Sequence, residues 1–281
     1  MSAFAVACLQ VNSGEEMSVN VDAALRLAAD AADAGADLIL MPENVAMMTW
    51  GTAAITAAAR PPEVHPALAA FRAFAKARQV WLHCGTLAVP SARGKVYNRT
   101  YVVDPEGGVA AVYDKLHMFD VDLGGGERYA ESATFEAGDR AVAVDLPWGR
   151  LGLSVCYDLR FPYLYRALAG AGADFLAVPA AFTQVTGAAH WHVLLRARAI
   201  ETGCFVFAPA QTGTHVRGRR TYGHSLIVSP WGEVLADGGE GPGFVIADID
   251  PSEVDAARGK VPSLAHGRTL GAVEVGGGVR A

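Results

Sequence analysis

No C-x-x-C pair occurs in this chain: its four cysteines, Cys8, Cys84, Cys156 and Cys204, lie far apart, which excludes a zinc knuckle and a redox dithiol. Long apolar runs are missing as well. Stretches such as DLILM and FLAVPAAF fall far short of the ~20 residues a spanning helix needs. The opening MSAFAVACLQVNSGEE has no basic n-region and turns polar at Gln10 and Asn12, so it reads as a first strand rather than a signal peptide. A cytoplasmic location with free thiols is the expectation. Positive charge is scarce too, with a formal net charge of -6 and one dense basic cluster, Arg217, Arg219 and Arg220. Neither nucleic acid nor a membrane surface is an expected partner, and the cluster reads as a solvated loop.

The 281 residues are 52% hydrophobic and 19% charged, a balance that supports a large buried core. Residues 3–11 alternate as a strand, and SVNVDAALRLAADAADAGAD follows as a helix with Ser18 as its cap and Gly35 as its stop. DLILMPEN reads as an apolar strand ending on Glu43, a helix is predicted over 62–78, and QVWLHCGTLAV is a further strand. Two hairpins are predicted, one turning at Pro105 to Gly108 and one at Pro-Trp-Gly in HSLIVSPWGEVLAD. Between them GRLGLSVC, ADFLAVPAA and CFVFAPAQ read as strands, separated by helices at about 160–171 and in AHWHVLLRARAIETG. Two βαβαβ halves with no linker between them predict one α/β domain over 1–260, a four-layer α-β-β-α sandwich of two mixed sheets with outer helices. Residues 261–281 read as a Gly-rich tail.

Three reactive side chains stand where an apolar strand ends: Glu43 after DLILMP, Lys115 after VAAVYD and Cys156 after LGLSV. A thiol can attack an electrophilic carbon, a carboxylate can shuttle its proton, and an ammonium can hold the oxyanion that forms. Residue type leaves a second reading open, in which Cys156 is buried filling and the two charges are solvated loop residues. Cys8, Cys84 and Cys204 sit inside strand patterns and are assigned to packing.

The segments MPEN, YDKLHMFDVD and GLSVCYDLRFPYLYRAL resemble the catalytic segments of the nitrilase superfamily of carbon-nitrogen hydrolases. The likeness continues through VPAAFTQVTGAAHWHVLLRARAIETGCFVFAPAQTG and TYGHSLIVSPWGEVLA, and so covers about residues 3–250. It implies that thiolate Cys156 forms a thioester, that Lys115 and the Tyr157 backbone N–H hold the oxyanion, and that ammonia leaves. Glu43 would take the thiol proton, protonate the leaving nitrogen and activate water, while Glu131 would orient Lys115. Within the superfamily the sequence looks most like the branch containing deaminated glutathione amidase and omega-amidase, which act on small amides bearing carboxylates. By that resemblance Arg160, Thr183 and His117 bind substrate, no cofactor or metal is required, and two chains pair into an eight-layer homodimer. Arg160 has a second reading, tying strand to helix through backbone carbonyls. One departure is His192 in HWH, where eukaryotic relatives commonly have HWE.

A nitrilase proper, a non-catalytic scaffold of the same fold and a peroxide-reducing thiol protein are the competing readings, the last lacking a resolving cysteine. His190 and His192, two apart on a helix, point away from each other and cannot share one ion, so they are expected to be core or interface residues. LGGGER lacks G-K-[ST] and reads as a flexible turn over the site. Tyr163 and Tyr165 suit an interface or a core edge equally.

Overall fold

The alternation in Phe4–Val11 divides that strand between two cores. In the computed structural model, which describes residues 2–124, 127–272 and 276, Phe4, Val6 and Cys8 enter the core between the sheets. Ala7, Leu9 and Val11 enter a second core beneath the helices. A strand buried on both faces is largely apolar, and this one, central to its sheet, buries a single polar residue, Gln10, whose side chain bonds the Gly239 carbonyl and the Ser225 N–H.

Its sheet has nine strands, in the order Arg220–Tyr222, Ala210–Thr214, Phe4–Val11, Leu38–Leu40, Trp81–His83, Val96–Val103 and Leu87–Pro90; Gly243–Ile249 pairs with Phe4–Val11, and Val109–Asp114 with Val96–Val103. The second sheet has six, in the order Val234–Asp237, Leu226–Val228, Phe205–Ala208, Phe175–Ala177, Gly149–Leu153 and Ala143–Leu146. Parallel pairing dominates the centre of each sheet, and the hairpins supply antiparallel strands. A two-stranded ribbon, Asp120–Asp122 with Arg128–Ala130, stands apart.

The six α-helices are α1 (Met17–Asp33), α2 (Thr52–Ala58), α3 (Pro66–Arg78), α4 (Pro162–Gly170), α5 (Gln184–Thr202) and α6 (Ser252–Lys260). Helices α1 and α3 pack on the first sheet and α4 and α5 on the second, giving the layer order α-β-β-α. Phe4 joins the two sheets, stacking on Trp148 at 4.3 Å and meeting Phe175 edge-on. None of the helices among the described residues is long and apolar enough to cross a membrane.

Several expectations need correction. Ser18 does not cap α1; Glu16 precedes the helix, and the turn before it is held by Asn20, whose side chain bonds Gly14 and the Ala46 carbonyl. The helix expected over 62–78 begins at Pro66, after a separate 3-10 turn, because proline's fixed φ suits the first helical position. Helix α2 was not anticipated, for it buries no residue and carries no apolar stripe. CFVFAPAQ is two strands, divided at Pro209: Phe205–Ala208 lies in the second sheet and Ala210–Thr214 pairs with Phe4–Val11 in the first. Proline has no N–H to continue the ladder, so the chain changes sheet there. The Gly-rich tail and Gly125 and Gly126 of LGGGER fall wholly or partly outside the described residues.

Two buried histidines make the fold acid-sensitive. Burial pushes His83 down from 6.5 to about 4, and burial followed by the Arg60 charge does the same to His65. A histidine held neutral in the fold but free to protonate when unfolded stabilises above its unfolded pKa, and loses that contribution as pH falls. Urea midpoints should therefore decline between pH 6.5 and 4, with roughly 3 kcal/mol from the fully buried His83 and less from His65. A His83→Gln variant should show a shallower decline.

Candidate active site

Cys156 ends the buried run LGLSV in the left-handed region, at φ 49°, a conformation that costs a non-glycine residue on the order of 1–3 kcal/mol. Its N–H donates to the Pro179 carbonyl at 2.9 Å, and the chain then turns through a 3-10 segment, Cys156–Arg160. Asp158, wholly buried, holds this turn: its carboxylate accepts from the N–H groups of Val155 (2.8 Å) and His117 (3.0 Å), the Tyr113 hydroxyl (2.6 Å) and the His117 ring (2.6 Å). Tyr113 and His117 flank Lys115, so this one carboxylate ties the cysteine turn to the segment that carries the lysine.

Lys115 follows Val109–Asp114 directly and is buried. Its Nζ lies 3.1 Å from Glu43 Oε1 and 2.8 Å from each oxygen of Glu131. Glu43 is held by Ala181 N–H at 2.9 Å and Asn98 Nδ2 at 2.8 Å, and Glu131 by Phe119 N–H at 2.6 Å. Gly85, at φ 58°, lies beneath the Pro42–Glu43 segment, where a Cβ would stand 2.1 Å from the Pro42 carbonyl oxygen. Only glycine permits that approach.

The charges are set by this packing. Burial pushes Glu43 up, but the Lys115 ammonium, with hydrogen bonds from Cys156 and Lys115, outweighs it and holds the carboxyl below its usual range. Burial works against the Lys115 charge, and the two carboxylates overcome it, so the ammonium is retained. The Cys156 thiol moves the other way. Burial, then the Glu43 charge, pushes it well above its ordinary value against the pull of Lys115. Lys115 therefore does not bring the resting thiol to the thiolate that the resemblance implies; a protonated thiol faces an ionised acceptor.

These four side chains lie on the wall of a cavity of about 420 Å³, whose other lining residues include Trp50, Arg128, Tyr129, Tyr157, Phe182, Thr183 and Arg219. Against this geometry, the family model described as "Carbon-nitrogen hydrolase" matches residues 5–259. The chain belongs to the carbon-nitrogen hydrolase family. Over 273 residues this carbon-nitrogen hydrolase is 44% identical to a deaminated glutathione amidase of Synechocystis, covering 95% of the chain and 98% of the relative. It is 39% identical to the human deaminated glutathione amidase over 94% of the chain and 82% of the relative. The solved Caenorhabditis elegans NitFhit protein superposes with a TM-score of 0.89 at 36% identity, over 95% of this chain and 66% of that longer one. The protein is accordingly an enzyme, an amidohydrolase.

In this hydrolase, the structure brings Glu43, Lys115, Glu131 and Cys156 together, with Tyr157 and Thr183 on the same cavity. Thr183 also caps α5, its Oγ1 accepting from Thr186 N–H at 3.3 Å. Arg160 and His117 stand outside the lining. Arg160 lies 5.3 Å from the Phe182 ring and 5.9 Å from that of Tyr157, with Nη1 3.2 Å from His190 Nδ1. It bonds no backbone carbonyl among the described residues. His117 stacks on Phe161 and bonds Asp158 and Tyr163.

The basic cluster is not simply a solvated loop, since Arg219 turns inward. Its guanidinium lies 5.3 Å from the Tyr129 ring, Nη2 donates to the Ala181 carbonyl at 3.1 Å, and buried Nε has no partner among the described residues. Nothing local distinguishes Arg219 from Arg217 and Arg220. Asn98 and Asp158 were missed too, although Asn98 occupies an inward position in YNRT that strand alternation marks as buried. Cys8, Cys84 and Cys204 are buried, and burial raises all three thiols.

Asp158→Asn should retain shape but convert a four-donor acceptor into a group that itself donates toward Val155 or His117. A loss on the order of 3 kcal/mol in urea denaturation is expected, with kcat falling at least about tenfold as the cysteine turn loosens.

Proposed function

We propose that this hydrolase cleaves a small linear amide carrying a carboxylate, of the deaminated glutathione or omega-amide type, through a thioester on Cys156. The observation that carries this reading is the ammonium of Lys115, clamped between two carboxylates beside a neutral thiol on the cavity wall. As Sγ attacks the amide carbon, Glu43 takes the thiol proton and the carbonyl oxygen gains charge, held by Lys115 and the Tyr157 N–H. Glu43 then gives its proton to the leaving nitrogen, ammonia departs and the C–N bond is replaced by C–S. Water adds to the thioester while Glu43 accepts its proton; collapse releases the acid, and the proton returns to sulfur. Glu131 fixes Lys115 throughout, and no cofactor enters.

Besides Lys115, Arg219 and Arg128 line the cavity, and they support an anionic substrate. Arg219 pairs with its carboxylate, Thr183 adds a hydroxyl, and Arg160 and His117 act from behind Tyr157 and Phe182 by positioning the cavity wall. A nitrile would be attacked by the same thiol, but it gives these arginines no task.

Ammonia release should be measured with deaminated glutathione, α-ketoglutaramate, succinamate and simple nitriles. Turnover of the carboxylate-bearing amides is expected, and turnover of nitriles alone would overturn the reading. Arg219→Gln should raise KM for those amides about 10- to 100-fold, the value of one charge-assisted hydrogen bond, while leaving a neutral amide little affected.

The same reading places the enzyme in the cytoplasm, where four free thiols persist. It pairs two chains through α4 and α5, whose exposed Tyr163, Val185, Val193 and Ile200 offer apolar surface. Tyr165 does not contribute, being fully buried.

A further inference from the structure

His190 and His192 diverge, as their spacing requires, but neither is a core residue: His190 is exposed and His192 half-buried. His192 instead meets residues from two other segments. Its Nε2 lies 3.0 Å from Asp237 Oδ2, and His224 Nδ1 lies 2.9 and 3.2 Å from the two oxygens of the same carboxylate. One donor atom from each of the three residues falls within 4.8 Å of the others. We propose that His192, His224 and Asp237 form a binding site for a borderline divalent transition metal ion such as Zn²⁺, separate from the amide-hydrolysing cavity.

Two imidazoles and one carboxylate make a donor set that suits Zn²⁺, Co²⁺ or Ni²⁺, and not the oxygen-only preference of Mg²⁺ or Ca²⁺. Zinc bonds of about 2.0–2.1 Å in tetrahedral geometry put ligand atoms roughly 3.3 Å apart, so only a small opening of the present contacts is required. On binding, the proton each ring now directs at Asp237 moves to the nitrogen facing away from the metal, and water fills the remaining position.

The donors are held in place rather than loosely gathered. His224 sits at φ 53°, its N–H donating to the Gly239 carbonyl at 2.8 Å and its carbonyl accepting from Trp191 Nε1 at 2.8 Å. The Tyr222 ring stacks on it at 4.4 Å, and Gly187 of α5 lies so close behind Tyr222 that a Cβ there would stand 2.3 Å away. Gly239 N–H fixes Asp237 Oδ1 at 2.9 Å. All three side chains remain partly exposed, so an ion can reach them.

The test uses full-length protein carrying Cys156→Ala, which removes the site thiol as a competing ligand, after treatment with a chelator that is then dialysed away. Zn²⁺ titrated against a chromophoric competitor should bind one per chain, and Co²⁺ should give visible absorption bands without a sulfur charge-transfer band. Single His192→Gln and Asp237→Asn changes should each weaken binding at least about 10- to 100-fold, since losing even an outer-shell partner costs that much. Thermal midpoints without metal check that the variants fold. In an otherwise unaltered chain His192→Gln should leave amide turnover unchanged. Absence of saturable 1:1 binding, or equal affinity in the parent and both variants, would overturn the proposal.

Discussion

Replacing Lys115 with methionine should lower kcat for amide hydrolysis at least about a thousandfold and destabilise the protein by about 3–5 kcal/mol. The first effect follows from its place as the one cation among the described residues that touches both carboxylates: loss of a single oxyanion donor costs about 100- to 1000-fold. A second cost adds to it. Glu43 and Glu131 both reach Lys115 Nζ, at 3.1 and 2.8 Å, and without it a buried and a partly buried carboxylate face each other across an apolar side chain. One of them must take up a proton, and where Glu43 does so the base is gone. The stability loss is that of breaking a buried ion pair from one side. Adding Glu131→Gln should restore much of the urea midpoint and none of the turnover, a separation that a merely structural lysine would not produce. Turnover within tenfold of the parent in Lys115→Met would refute the role given to it.

Cys156→Ala should abolish ammonia release and leave no acyl adduct in the intact mass, while changing stability by only about 1 kcal/mol. Alanine meets the same left-handed backbone and loses one buried sulfur atom, so the turn held by Asp158 should persist. The unaltered enzyme carries a related prediction for pH. Burial and Glu43 lift the thiol while Lys115 lowers Glu43, so kcat/KM should show no rise through pH 8–9, the ordinary thiol range. Its acid limb, set by protonation of an already depressed Glu43, should lie below pH 4.5. Stability must be followed in parallel, because His83 and His65 weaken the fold before that point is reached. A sigmoidal rise near pH 8.5 would mean that Cys156 reacts as a preformed thiolate.

Much of this architecture is carried by local pattern. The two-faced burial of Phe4–Val11, the turn at Pro105 to Gly108 and the placement of Glu43, Lys115 and Cys156 just beyond strands are each written in a few consecutive residues, although the strand before Lys115 is largely exposed rather than buried. Such signals survive because strand alternation, turn chemistry and strand-end position depend on nearest neighbours along the chain. Helix α2 had no such signal, since a helix that buries nothing leaves no apolar period.

By itself the sequence determined a core-forming α/β composition, the strand and helix rhythm, and a thiol, a carboxylate and an ammonium at the ends of strands. Tertiary structure decided which groups meet. Asp158 gathers Tyr113 and His117 from 45 and 41 residues away, Arg219 is drawn inward from a cluster of three arginines, and His192 finds His224 and Asp237 across α5 and the last strand of the second sheet. It also decided the direction in which Cys156 is pushed, because desolvation depends on everything packed around the sulfur, whereas the sequence names only its possible partners. Periodicity records which face of an element is buried; what lies opposite that face, and so the sign of a buried charge's effect, exists only once the sheets have packed.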